Sequence, residues 1–213
     1  MNPKQKQNIS QEIERMAAKT SQRRVANIIG ISSATINHMI NGQWQSITHS
    51  IWRLAESKLR IDSKWRTART QNFEATQELL AAAQNNALSL AISNDAGCGK
   101  SHAYRAYARE HDNVFLIECA NYWTKKEYVS RLLLAMGEKP TGTITQIVST
   151  FIDLLNSQEQ PLVIIDQFDK LRDPSLDLFM DMYNETHHRC GFILSGVKAL
   201  EKRILNGVLY QKI

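Results

Sequence analysis

The stretch LSLAISNDAGCGKSHAYRAYARE, residues 88–110, decides the fold. Leu88–Ser93 has the length and apolar character expected of a buried strand, and Ser101–Glu110 has the pattern of an amphipathic helix. Between them, Asn94-Asp95-Ala96-Gly97-Cys98-Gly99-Lys100-Ser101 fits G-x-x-x-x-G-K-[ST], except that Asn94 stands in the first glycine position. Asn tolerates left-handed backbone angles better than most residues, so it is compatible with a tight turn there. Gly97 and Gly99 allow backbone N–H groups to turn inward around phosphate oxygens, and the start of the following helix adds its dipole. In such a loop Lys100 neutralises the β- and γ-phosphates of a nucleotide, and the Ser101 hydroxyl ligates Mg²⁺. The expected nucleotide-binding residues are Asn94, Ala96, Gly97, Cys98, Gly99, Lys100, Ser101 and His102.

Further apolar runs lie at Val114–Cys119, Leu162–Asp166 and Phe192–Gly196. Helical patterns fall near Lys125–Met136, Ile144–Leu155 and Leu176–His187. Strands alternating with helices imply an α/β fold, a parallel sheet flanked by helices. Leu162–Asp166 ends in an acid, the place from which Asp166 would hold a metal opposite Ser101. The next residue, Gln167, can hold a water by hydrogen bonding but cannot accept its proton at neutral pH. Asp169 either replaces that base in part or serves as a helix cap. Ser195, near the end of the fourth run, suits a sensor of the γ-phosphate, although Ser before Gly is also plain turn chemistry.

Upstream, Gly30 and Gly42 divide residues 8–60 into short helical pieces. Ile13, Met16 and Ala17 form one apolar stripe. Ser21 caps a helix with Val25, Ile28 and Ile29 inward, and Ser32 or Ser33 caps another with Ile36, Met39 and Ile40 inward. Ile47, Ile51, Leu54 and Ala55 supply a fourth face. The bend Gly30-Ile31-Ser32-Ser33 between two short helices describes a helix-turn-helix. Ser33, Thr35, Asn37 and His38 would face base edges in a major groove. Arg23 and Arg24, with Arg53, Lys58 and Arg60, would hold phosphates. The string SQRRVANIIGISSATINHMINGQW resembles the phage-repressor type of helix-turn-helix. A helical bundle used only for protein contacts would carry the same stripes.

Charge divides the chain in the same place. Residues 1–70 hold 12 Lys and Arg against 4 Asp and Glu, a net +8, and the remaining 14 and 17 give −3. A basic front and a near-neutral body fit contact with a polyanion, or a solvated basic face. A second basic spot, Lys125 and Lys126 beside Tyr122 and Trp123, suits a DNA backbone or a plain solvated loop equally. With 43% hydrophobic residues among 213, the chain can bury a core, and 9 Gly and 4 Pro exclude collagen-like or low-complexity chains. No apolar stretch reaches the ~18 residues of a membrane span, and the first residues have no secretory h-region. Cys98, Cys119 and Cys190 have no C-x-x-C spacing and fit reduced thiols in a cytoplasmic protein. Three parts follow: residues 1–62 as a helix-turn-helix domain, 63–86 as a helical linker, and 87–213 as a nucleotide-binding core.

The phosphate loop, the strand ending in Asp166 and the polar-tipped fourth strand resemble, in this order, the core of AAA+ ATPases. With the helix-turn-helix in front, the whole chain resembles the target-selection ATPases of transposing phage Mu, the B transposition protein family, and relatives in mobile elements. SNDAGCGKSHA, PLVIIDQFDKL and FILSGVKALEKRI carry the likeness. It implies ATP and Mg²⁺ as cofactors, a homo-oligomer or filament on double-stranded DNA, and delivery of that DNA to a transposase that stimulates hydrolysis. It assigns phosphate binding to Gly97, Gly99, Lys100 and Ser101, metal to Ser101 and Asp166, and the polar sensor to Ser195. Lys100, Asp166, Gln167 and Ser195 form the expected catalytic set. Relatives carry Glu where Gln167 stands, so hydrolysis is expected to be slow. Arg203, near Lys198 and Lys202, is either a finger for a neighbouring subunit's nucleotide or part of a solvated face. The helical lid that follows such a core is expected to be short or absent, the chain being truncated or its site completed by a neighbour. Two other readings share these residues: a nucleotide-responsive helix-turn-helix transcription regulator, and a helicase-loader-like ATPase.

Overall fold

Helix caps and apolar stripes build the N-terminal part of this computed structural model, which describes residues 1–59, 61 and 68–205. Asn2 starts α1 (Pro3–Lys19): its side chain accepts from Gln5 N, and the Gln5 side chain accepts from Asn2 N. The early start turns Ile9, Ser10 and Ile13 inward, leaving Met16 and Ala17 of the expected stripe half-buried. Ser21 caps α2 (Gln22–Ile29), which Gly30 stops at φ 88°, and Ser32 caps α3 (Ser33–Ile40). After a 3₁₀ turn at Trp44–Ser46, α4 (His49–Leu59) buries Trp52, Ala55 and Leu59. The expected fourth face is thereby corrected: Leu54 is 37% exposed. Trp52 takes the inner position because its ring is the largest apolar group on the helix, and Trp44 meets it edge-on at 5.8 Å.

The chain divides into two compact units: Met1–Ala68, with which Met136–Lys139 cluster, and a second that starts at Arg69. The second unit is α/β. It runs through α5 (Gln71–Asn85), β1 (Ser89–Ser93), α6 (Lys100–Glu110), β2 (Val114–Glu118), α7 (Lys125–Ala135) and α8 (Ile144–Asn156). Then come β3 (Leu162–Asp166), α9 (Asp173–Thr186), β4 (Gly191–Gly196) and α10 (Lys198–Leu205). The four strands pair in parallel in the order β1-β4-β3-β2. Ile164 and Ile193 pack with Leu80 of α5 and Tyr104 and Tyr107 of α6 on one face. On the other, Phe192 meets Phe179 and Tyr183 of α9 at 5.7 and 5.6 Å. β3 is buried along its whole length, as an inner strand of a two-sided sheet must be. β1, expected to be buried, lies at the sheet edge with Ser89 and Ala91 exposed.

The linker over 63–86 is a second difference. Arg60 and residues 62–67 lie outside the described residues. From Thr70, whose side chain caps α5, the chain is a layer of the sheet unit, with Leu80 and Ala83 fully buried. A Cβ on Gly191 would collide with the Ala83 carbonyl oxygen, so β4 and α5 approach as closely as a glycine permits. Among the described residues no helix is long and apolar enough to cross a membrane.

Leu80→Ala is therefore expected to destabilise the sheet unit by about 2–5 kcal/mol through the cavity it leaves. Chemical denaturation of the full chain, followed by circular dichroism, measures this; a spacer helix would leave the transition where it was.

Candidate nucleotide site and basic helical unit

β1 delivers the loop of residues 94–99 to the carboxyl ends of the parallel strands, where ligand crevices form in such sheets. Gly97 and Gly99 take φ of 82° and 92°, and a Cβ on either would meet nothing within 4 Å, so backbone angle alone demands glycine. Asn94 is not among the residues with positive φ. The absent first glycine therefore needs no left-handed substitute. Gly99 stands at the N-terminus of α6. That terminus opens into a cleft of about 500 Å³, lined by residues 96–102 on one wall and by Asp166, Gln167, Asp169, Lys170, Gly196 and Val197 on the other.

The Ser101 hydroxyl donates to Asp166 Oδ2 across the floor of the cleft. Asp166 is only 2% exposed, and its Oδ1 accepts from Gln167 N at 2.9 Å. A hydroxyl beside a carboxyl group is a hard oxygen pair that suits Mg²⁺. Lys100 Nζ donates to the carbonyl oxygens of Asn94 and Asp95, each at 2.9 Å, and to Cys98 Sγ at 3.4 Å. Its charge thus rests over the loop, on acceptors that phosphate oxygens can replace. His102 lies on the same wall, 6.2 Å from the Phe73 ring.

The far wall is a short turn. Gln167 adopts φ 56°, ψ 37°, and its Oε1 accepts from Lys170 Nζ. Phe168 is buried against Phe179, anchoring the turn. Asp169 Oδ1 accepts from Val197 N at 3.3 Å, a cap for the entry into α10. Two expected residues are placed elsewhere. Ser195 is 0% exposed and does not line the cleft: two residues beyond Ile193, it faces α6, where Tyr104 donates to its Oγ at 3.0 Å. Burial pushes the Tyr104 phenol up to about 12, which keeps it a donor. Arg203 is not a free finger. It donates to the carbonyl oxygens of Asp169, at 2.8 Å, and Leu171, and pairs with Asp173 at 2.6 Å. Reading by residue type missed Lys170, because only the 3₁₀ geometry of the turn brings it beside Gln167.

In the N-terminal unit, α2 and α3 are joined by Gly30, Ile31 and Ser32. On α3, Ser33 and Asn37 are exposed, and Thr35 and His38 are half-buried. Thr35 shares a 2.8 Å hydrogen bond with Ser32, Asn37 accepts from Asn41 at 2.9 Å, and His38 lies 3.3 Å from Ser46. Arg23, Arg53 and Lys58 are exposed, whereas Arg24 stands 3.7 Å from Glu138. In the second unit, Lys125 and Lys126 are exposed at the start of α7 beside Tyr122, which is 72% exposed. Trp123, expected to share that surface, is buried, with the Arg131 guanidinium 5.6 Å from its ring.

A family model described as an AAA domain matches residues 83–204, more than half of the chain. No curated protein matches it.

The three thiols separate by environment: Cys98 is half-exposed in the loop of residues 94–99, while Cys119 and Cys190 are buried and burial pushes both thiols up. Iodoacetamide is expected to label Cys98 first, as read by mass spectrometry, and Mg²⁺ with ATP to slow that labelling several-fold. Labelling indifferent to nucleotide would place the ligand away from residues 96–102.

Proposed function

The chain belongs to the AAA domain family, and from that premise we propose that it is an ATP- and Mg²⁺-dependent DNA-binding protein of the Mu B transposition type. In this reading it assembles as a homo-oligomer or filament on double-stranded DNA and presents that DNA to a transposase. What supports the reading is the joining, in one chain, of two things. One is a cleft that brings together Lys100, Ser101 and Asp166; the other is a basic helical unit with Arg23, Arg53, Lys58, Ser33 and Asn37 exposed.

The chemistry follows from those residues. Lys100 exchanges the Asn94 and Asp95 carbonyls for β- and γ-phosphate oxygens. Ser101 and Asp166 would hold Mg²⁺, which when bound would neutralise developing phosphate charge. Gln167 offers no base, so the ATP-bound state is long-lived. Arg23, Arg53 and Lys58 contact DNA phosphates without reading sequence. α3 carries no Arg to grip guanine, which fits binding with little sequence preference. Lys125, Lys126 and Tyr122 offer the sheet unit a basic, aromatic DNA contact of its own. One observation favours a nucleotide-switched transcription regulator instead: the amide carbonyl of Gln167 is already engaged by Lys170, as suits a ligand site without turnover. Tight, sequence-specific DNA binding would select that reading.

DNA affinity measured with ATP present should fall steeply with salt, with a log–log slope of about −0.9 per phosphate contact. A flat dependence would make the basic unit a protein-docking domain. Phosphate release in the presence of duplex DNA is expected to be slow, and Gln167→Glu to accelerate it, within the ~10²–10⁴-fold that general-base catalysis contributes. Brisk wild-type release unchanged by the substitution would mean that another group already acts as the base.

A further inference from the structure

The turn after β3 presents a second cation to the cleft. Its geometry is fixed from several sides. Gln167 N is held by Asp166 Oδ1 at 2.9 Å, Lys170 N donates to Gln167 O at 3.0 Å, and Leu171 N donates to Phe168 O at 3.1 Å. Phe168 is buried, and Arg203 holds the carbonyl oxygens of Asp169 and Leu171. In a 3₁₀ turn residues three apart eclipse one another, which puts the side chains of Gln167 and Lys170 on the same side. Both line the same cleft as Lys100.

The contact between them has a chemical direction. A lysine ammonium only donates, so the Gln167 amide must give it the oxygen. The amide NH₂ is thereby turned away from Lys170, with two N–H donors left to offer, while the oxygen gives one of its two lone pairs to Lys170. Lys170 keeps further N–H donors of its own. A terminal phosphate is the matching partner: it is anionic and its oxygens accept. With the β-phosphate in the loop of residues 94–99, the γ-phosphate would be the one brought toward Asp166 and this turn.

We propose that Lys170 and Gln167 form a second phosphate-binding pair that recognises the terminal phosphate and so separates a nucleoside triphosphate from a diphosphate. The inference rests on the nucleotide reading of the cleft and adds to it the residues that discriminate between ligands. It gives Gln167 the work of a phosphate ligand in place of water activation. Arg203, which holds the turn and does not line the cleft, then acts as a positioning residue.

Equilibrium binding of ATP and of ADP, each with Mg²⁺, to the full chain and to Lys170→Ala and Gln167→Ala variants tests this. Each substitution should weaken ATP binding roughly tenfold, the scale of one hydrogen bond to a charged group, and ADP binding by less than about twofold. Retained ADP affinity also shows that the variants are folded. Equal losses for the two nucleotides, or no loss for ATP, would overturn the pair. A wild-type chain that binds neither nucleotide would instead overturn the nucleotide site itself, and the pair with it.

Discussion

The hydrogen bond from Ser101 to Asp166 joins the start of α6 to the end of β3, and the rest of the site depends on it. A carboxyl group buried to 2% exposure is costly unless its oxygens find donors. One donor is the Ser101 hydroxyl; the other is the backbone N–H of Gln167. Meeting the second demand bends the chain at once into the left-handed region at residue 167, an uncommon place for a residue that is not glycine. From that bend follow the 3₁₀ turn, the burial of Phe168 and the placing of Gln167, Asp169 and Lys170 around the cleft.

How the sheet is covered explains the close contacts behind the site. α5 and α6 share one face of β3 and β4, and the approach of Ala83 to Gly191 leaves no space for a side chain on the strand. α6 carries both Ser101 at its first turn and Tyr104 one turn on. The same helix thus sets the floor of the cleft and shields Ser195 from it.

The parallel sheet and the phosphate loop were legible because each strand is a continuous apolar run and the glycines stand at fixed intervals, patterns that local physics imposes. Caps were legible for the same reason: Ser21 and Ser32 each accept from a backbone N–H three residues on. What did not show was anything set by long-range packing. Trp52 displaces Leu54 from the core of the N-terminal unit, although both lie on a plausible stripe. The apolar run at β1 reads like that at β3, yet strand order leaves β1 at an edge. Ser195 lies on the strand that ends in the cleft-lining Gly196, but the alternation of side chains along β4 sends it to the other side. Arg203 looked available in a list of charges and is engaged only because the chain folds α10 back over the turn.

That engagement has a mechanical side. α10 grips the far wall of the cleft at two places: the Arg203 guanidinium on the carbonyls of the turn, and the Val197 N–H on Asp169. A third, exposed contact runs from Lys198 to Asp95, just before the cleft-lining residues of the loop, at 3.5 Å. The helix is therefore coupled to both jaws, firmly to one and loosely to the other. A change in the separation of turn and loop would therefore strain contacts at both ends of α10, and the exposed ion pair of Lys198 would give way before the grip of Arg203.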